Sequence, residues 1–345
     1  MSAPHRVVIT GVGAVTAVVS GGADAVAHAI AAAIPADGER VDRALAQLVD
    51  AAEARRLSRV SQLTLAAGRL ALDDAGLQVG APMLNDGLGI VLGTELGDLR
   101  STIGFADGFL SRGPVGLSPL LFPNTVMNTM AAATAIALSA RDLSLTLNAP
   151  TVAGELAVIR AAAAVAAGRA PVLLAGGVDE VDPAIAAMLE EAGGRFAARG
   201  EGSAFVVLEP LESARARSAR ILGEILATAS AALPVSPYGV GRRATPHVVA
   251  RALTNAGVGA TALRATYAGH NGDARRDAWE TRVLEAAAPG VPAGPSLAWQ
   301  FGQTSALGPL KVLAAAGAPP ALVHGLARGG SEVAIVIGAP PHENN

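Results

Sequence analysis

Cysteine is absent from the 345 residues. That excludes disulfides, Cys-ligated zinc, iron–sulfur clusters and any cysteine nucleophile. Aromatic residues are only 3% of the chain, with two Trp, two Tyr and six Phe, so the core is not built around large rings. Packing must come from close approach of small side chains, and 77 Ala and 40 Gly supply them. Lysine is all but missing: Lys311 stands against 25 Arg, a skew read as coding bias. Charged residues make up 16%, the net charge is −3, and no basic run occurs, which leaves nucleic-acid binding without electrostatic support. No stretch of 18 uncharged apolar residues appears; the apolar segment 161–167 is bracketed by Arg160 and Arg169. His5-Arg6 followed by apolar residues has the outline of a secretion signal, but Thr10, Gly11 and Gly13 interrupt the run. The expected location is the cytoplasm, away from membranes.

What is present is a strongly apolar chain, 51% hydrophobic, long enough for about two domains at roughly 150 residues each. Short Val/Ile/Leu runs alternate with longer Ala-rich periodic segments. The pattern predicts strands at 7–10, 88–93, 143–147, 171–175 and 203–208, with helices at 24–33, 58–75, 125–138 and 154–167. A second half predicts strands at 221–227, 265–268, 322–326 and 333–337, with helices at 246–256, 275–287 and 305–316. Such alternation means an α/β protein whose sheets are covered by helices on both faces. No linker separates independent units, so two halves sharing one core are expected, divided at 1–209 and 210–345.

The Gly-rich start, TGVGAVT at 10–16, follows a strand but is not a dinucleotide fingerprint. Position 16 is Thr where a third Gly is needed, and no acidic residue ends a second strand about twenty positions on. The scattered His5, His28, His247, His324 and His342 have no ligand spacing, so no metal is assigned and no cofactor is expected.

Residues 112–154 read RGPVGLSPLLFPNTVMNTMAAATAIALSARDLSLTLNAPTVAG. Ser118-Pro119, Pro123, Asn128 and the strand at 143–147 resemble the β-ketoacyl synthases of the condensing-enzyme family. VVITGVGAVT (7–16), LLAGGVDE (173–180), RGEGSAFVVLEPLESA (199–214) and Gly329-Gly330 extend the resemblance over nearly the whole chain. It implies a thiolase-like fold: two similar α/β halves in a layered αβαβα arrangement, normally dimeric. The family condenses acyl chains with a Cys nucleophile and two His. A Cys at a helix N-terminus has a lowered pKa and attacks thioesters. The His pair donates hydrogen bonds to the enolate formed on decarboxylation.

Position by position, the nucleophile motif falls on APTVAG (149–154), with Thr151 where the Cys belongs. The first His is His270, without the Thr-rich loop that normally follows. The second is replaced by Gln303. The supporting Lys falls near Ala298, and the gating Phe near Arg328. The family usually has a longer loop where 189–199 lies. Glu201 matches a family position and is expected to hold backbone amides. Glu155 and Asp179 are expected in ordinary salt bridges, and Trp279 and Trp299 in packing.

Several catalytic positions are altered together, which reads as chemistry no longer performed. The resemblance then points to a chain length factor of a type II polyketide system: a subunit that pairs with an active ketosynthase and shapes the tunnel where the chain grows. The acyl carrier protein would be met mainly through that partner. Helix 124–138 would border the tunnel, with Met127, Met130, Ala133 and Thr134 facing it. Two other readings stand beside this one. Thr151 with His270 could transfer an acyl group from a carrier protein, or the chain could be a homodimeric scaffold. A plainer role for Thr151 is to cap the following helix with its hydroxyl.

Overall fold

The structure, a computed structural model, describes residues 4–80, 84, 87–183, 187 and 199–341. The 189–199 loop lies outside them except for Arg199, as does His342. The chain runs β1 (Val7–Thr16), β2 (Ser20–Gly21), α1 (Ala23–Ala31), α2 (Arg40–Leu48), α3 (Ala51–Ala54), α4 (Arg59–Asp74) and β3 (Leu88–Thr94). It continues through α5 (Leu99–Arg112), α6 (Thr129–Ala137), β4 (Ser144–Asn148), α7 (Ala153–Ala166), β5 (Val172–Asp179), β6 (Gly202–Pro210) and α8 (Leu211–Ala216). The rest is β7 (Gly223–Ala232), α9 (His247–Ala256), β8 (Ala265–Tyr267), α10 (Ala274–Ala287), α11 (Leu297–Phe301), α12 (Leu307–Ala316), β9 (Ala321–Leu326) and β10 (Ser331–Gly338).

Side-chain alternation along the strands sets the layers. In β6, Ala204, Val206 and Leu208 join a central core, while Phe205 and Val207 join an outer one with Leu63 and Leu72 of α4 and Met130 of α6. In β10, Val333, Ile335 and Ile337 face the same central core. Ala334 and Val336 face a second outer one with Val248 of α9 and Val283 of α10. The central core is filled by α7 and α12, through residues such as Val158 and Leu310. The order is therefore helix, sheet, helix, sheet, helix, the thiolase-like layering.

The pairing pattern repeats. β1 pairs β6 antiparallel, β6 pairs β5 antiparallel, and β5 pairs β3 parallel. β7 pairs β10 antiparallel, β10 pairs β9 antiparallel, and β9 pairs β8 parallel. β4 extends the first set beyond β3 and leaves an edge. The two sets join where β1 pairs β7 over Val7, Val8 and Ile9.

Two expectations change. The helix expected at 125–138 is broken: a 3-10 turn, Phe122–Thr125, ends in extended Val126, and α6 starts only at Thr129. α5 was not expected; Leu99, Ile103, Ala106 and Leu110 lie on one helical face, yet none of its residues is buried.

Candidate functional site

The entry to α7 is strained. β4 ends at Asn148, and the chain turns through Ala149-Pro150-Thr151 before the helix. Thr151 has φ 57°, a left-handed conformation that is a true outlier for a β-branched residue. The cap position is Val152, without any side-chain cap bond, so Thr151 does not cap the helix. It lies one residue too early. Its hydroxyl is buried and makes no hydrogen bond among the described residues.

The second helix of the central layer meets this turn. A Cβ on Gly154 would lie 2.0 Å from the Ser305 carbonyl oxygen, and one on Gly308 would lie 2.4 Å from the Gly154 carbonyl carbon. Only glycine allows the N-terminal ends of α7 and α12 to touch this closely. The contact brings the Thr151 turn of one half beside the Gln303 loop of the other.

Gln303 is buried, and its Oε1 accepts from Asn271 Nδ2 at 3.1 Å. Its backbone carbonyl accepts from Gly200 N at 3.1 Å. Asn271 Oδ1 accepts from Asp273 N at 3.2 Å. Thus Asn271, not His270, faces Gln303, a neighbour that sequence spacing did not reveal. His270 turns the other way: its Nε2 lies 3.2 Å from Thr281 Oγ1 and 3.9 Å from Glu280 Oε2, and its carbonyl accepts from Ser296 Oγ. The structure does not join His270 to Thr151 or Gln303 by any hydrogen bond among the described residues. An Asn–Gln pair can donate and accept but does not exchange protons near neutral pH. Among the described residues, no base lies within hydrogen-bond reach of the Thr151 hydroxyl.

Asp179, at the end of β5, braces the junction. It accepts from Thr94 Oγ1 at 3.0 Å, Glu95 N at 2.9 Å, and both Ser305 N and Ser305 Oγ at 2.7 Å. Burial and the neighbouring Glu95 charge push its pKa up, while the Ser305 and Glu95 bonds oppose them. The salt bridge expected at Asp179 is replaced by these bonds. The one expected at Glu155 is present, to Lys311. The next residue, Glu180, is pushed up to about 7 by burial and then by Asp98.

Other expectations fall differently. Glu201 accepts from Arg59 Nε and Nη2 at 2.7 and 2.6 Å, a side-chain ion pair in place of the backbone amides expected. Trp279 is buried, but Trp299 is 71% exposed and does not pack in the core. Ala298 is buried in the central core. Arg328 pairs with Asp273. Met130 and Thr134 are buried on the α4 side of α6, whereas Met127 is exposed and Ala133 lines a groove of about 290 Å³ with Glu53, Arg56, Leu57, Ile136 and Ala137. The four residues expected along a tunnel therefore do not share one surface. Among the described residues, no helix is long and apolar enough to cross a membrane, and no group of three or more His, Asp or Glu could hold a metal ion.

Comparison with known proteins gives the layout a family context. Residues 26–214 match the β-ketoacyl synthase N-terminal domain. A 3-oxoacyl-[acyl-carrier-protein] synthase 2 from Synechocystis is 29% identical over 274 residues, 72% of this chain and 65% of that protein. Its counterpart from Vibrio cholerae serotype O1 is 25% identical over 200 residues, 52% of this chain and 48% of that protein. The matches thus span about half to two thirds of those relatives' length. Among solved structures, the ishigamide ketosynthase/chain length factor superposes with a TM-score of 0.85 at 21% identity, covering 98% of this chain and 100% of that one. A type II PKS acyl-carrier protein in complex with its ketosynthase bound to the hexaketide gives 0.81 at 18% identity, with coverage of 98% and 100%. At these identities the structural likeness is one of fold. With the family match covering more than half of its residues, this chain belongs to the β-ketoacyl synthase family.

Proposed function

We propose that this chain is a catalytically degenerate ketosynthase-like subunit, a chain length factor that pairs with an active ketosynthase and shapes the tunnel for iterative condensation of carrier-bound acyl chains. The observation that carries the reading is the junction itself. The strained entry to α7 is kept, yet it holds a Thr whose hydroxyl meets no base, and the facing loop holds an Asn–Gln pair. The scaffold of the chemistry is present without its reactive groups.

The partner face we assign is the β4 edge with the adjoining segment 105–137. Among the described residues, eight of the eleven exposed large hydrophobics lie between Phe109 and Ile136, and β4 offers an unpaired, half-exposed edge. Such an edge, beside exposed apolar side chains, is a ready template for another strand or surface. Residues 1–209 and 210–345 serve as the two halves of the subunit. Met127 and Ala133 are the tunnel-side positions at the surface, and Met130 and Thr134 would act from behind them. The acyl carrier protein is met mainly through the partner, in the cytoplasm. Co-expression with a Cys-containing ketosynthase tests this: a 1:1 complex on size exclusion supports it, and two separate peaks at micromolar concentration count against it.

The strained turn and unpaired hydroxyl also suit a second reading, a Thr151-dependent acyltransferase. Thr151→Ala with unchanged acyl transfer would remove it.

A further inference from the structure

Six ionisable side chains are packed into the interior where the central layer meets the C-terminal outer layer. Glu155 of α7 pairs with Lys311 of α12, the only lysine in the chain. Lys311 Nζ donates to the His324 carbonyl oxygen at 3.0 Å. The His324 ring lies between two carboxylates: Nδ1 is 2.7 Å from Glu280 Oε1, and Nε2 is 3.2 Å from Glu332 Oε1. Glu280 also accepts from Arg276 Nη2 at 3.0 Å and from Gly269 N at 3.0 Å. Arg276 Nη1 donates to the Gly269 carbonyl oxygen at 2.7 Å. All six residues are 3% exposed or less.

The charges decide the state of the histidine. Three carboxylates, Glu155, Glu280 and Glu332, face two fixed cations, Arg276 and Lys311. At the rim, Asp277 lies 3.5 Å from Arg276, and His270 lies 3.9 Å from Glu280. A proton on His324 offsets the third of these carboxylates, and only a protonated ring can donate from both nitrogens to the carboxylates beside it. We propose that His324 is a positioning residue, a protonated bridge that holds the Gly269–His270 loop in register with the Thr151 entry to α7, so that losing the proton loosens both segments together.

The path on each side is short. Towards the loop it runs through Glu280 to the Gly269 amide. Towards the turn it runs through Lys311 to Glu155, four residues along α7 from Thr151. A Cβ on Gly325, beside His324, would lie 3.1 Å from Val152 Cγ1 and 3.4 Å from Glu155 Oε1, so β9 is packed directly against that entry. Burial works against the proton, but the Glu280 and Glu332 bonds outweigh it, so the pKa of His324 is raised. The sign follows: the stabilisation is complete below the unfolded pKa of about 6.5 and is lost as pH rises through the raised folded value. The device acts within this chain, whether or not it pairs with a ketosynthase.

Two measurements test it. In wild-type protein with labelled histidine, ¹H–¹⁵N NMR should show both His324 ring nitrogens protonated at pH 7.5; a neutral tautomer there overturns the proposal. Hydrogen exchange, corrected for intrinsic rate, should then show segments 150–156 and 266–272 losing protection together at alkaline pH. His324→Gln should give both segments at least about a fivefold faster exchange at pH 7, with β6 unchanged. Exchange that changes in neither segment, in one alone, or equally across the chain overturns it. The wild-type measurements stand if the variant does not fold.

Discussion

The two sides of the central junction are built in opposite ways. On the N-terminal side, Thr151 holds a left-handed backbone and a buried hydroxyl without a partner among the described residues. On the C-terminal side, the polar groups around Gln303 and Gly269 are tied into one another: Asn271 to Gln303, Glu280 to Gly269, Arg328 to Asp273. Strain with an unpaired polar group belongs to a site that once had, or still meets, something else. A closed set of bonds belongs to a structural brace. The difference teaches that the Gln303 side is braced by its own bonds, whereas the Thr151 turn is strained and its hydroxyl bonds nothing among the described residues, which is the contrast on which the proposed shaping role rests.

The largest effect should come from untying the two sides. Asp179→Ala leaves the buried Ser305 amide and the part-buried Glu95 amide without their acceptor and should cost about 3 kcal/mol. Urea unfolding reads the loss, and a cost below about 1 kcal/mol would mean that Asp179 does not brace the junction. Glu180 is next. Its pKa of about 7 means that the folded chain keeps a proton the unfolded chain releases above about pH 4.3, so this group lowers stability as pH rises from about 4.5 to 7. Glu180→Gln should stabilise the protein at pH 8 by about 1–2 kcal/mol more than at pH 5. An equal effect at both pH values would place Glu180 in an ordinary carboxylate environment. The smallest effect sharpens the contrast itself. Thr151→Gly removes the left-handed penalty and should raise stability by about 0.5–1 kcal/mol, whereas Thr146→Gly, in extended β4, should lower it. Loss of stability in both variants would show that the turn is not strained.

Much of the fold was legible because the strands advertise themselves. β3, β5 and β10 are buried on both faces, and 88–93, 172–178 and 333–338 read as unbroken Val/Ile/Leu/Ala/Gly runs, while β6 and β9 are apolar runs interrupted by single residues such as Phe205 and His324. α4 was legible because Ser58 stands at its start and Gly76, with φ 68°, just beyond its end. α5 was missed although Leu99, Ile103, Ala106 and Leu110 repeat at helical spacing, because Gly104 and Gly108 interrupt the segment. At the site, Thr151 and Gln303 were legible from motif position. The partner of Gln303 was not: that Asn271 turns inward and His270 outward depends on how the Gly269–Asp273 loop sits on α10. Lys311 looked like a residue of coding bias, and its role rests on contacts 13 to 156 positions away, with His324 and Glu155. Glu201 and Trp299 show the same limit in reverse. Motif and composition suggested backbone bonding for one and burial for the other, and tertiary context gave an ion pair and a solvent-facing ring.

The central claim is that this chain supplies shape and its partner supplies chemistry. The most direct measurement is intact-mass analysis after incubating the chain, with and without a Cys-containing ketosynthase, with acyl-carrier thioester. The account predicts an acyl adduct on the partner alone and none on this chain in either mixture. An acyl adduct on Thr151 would contradict it.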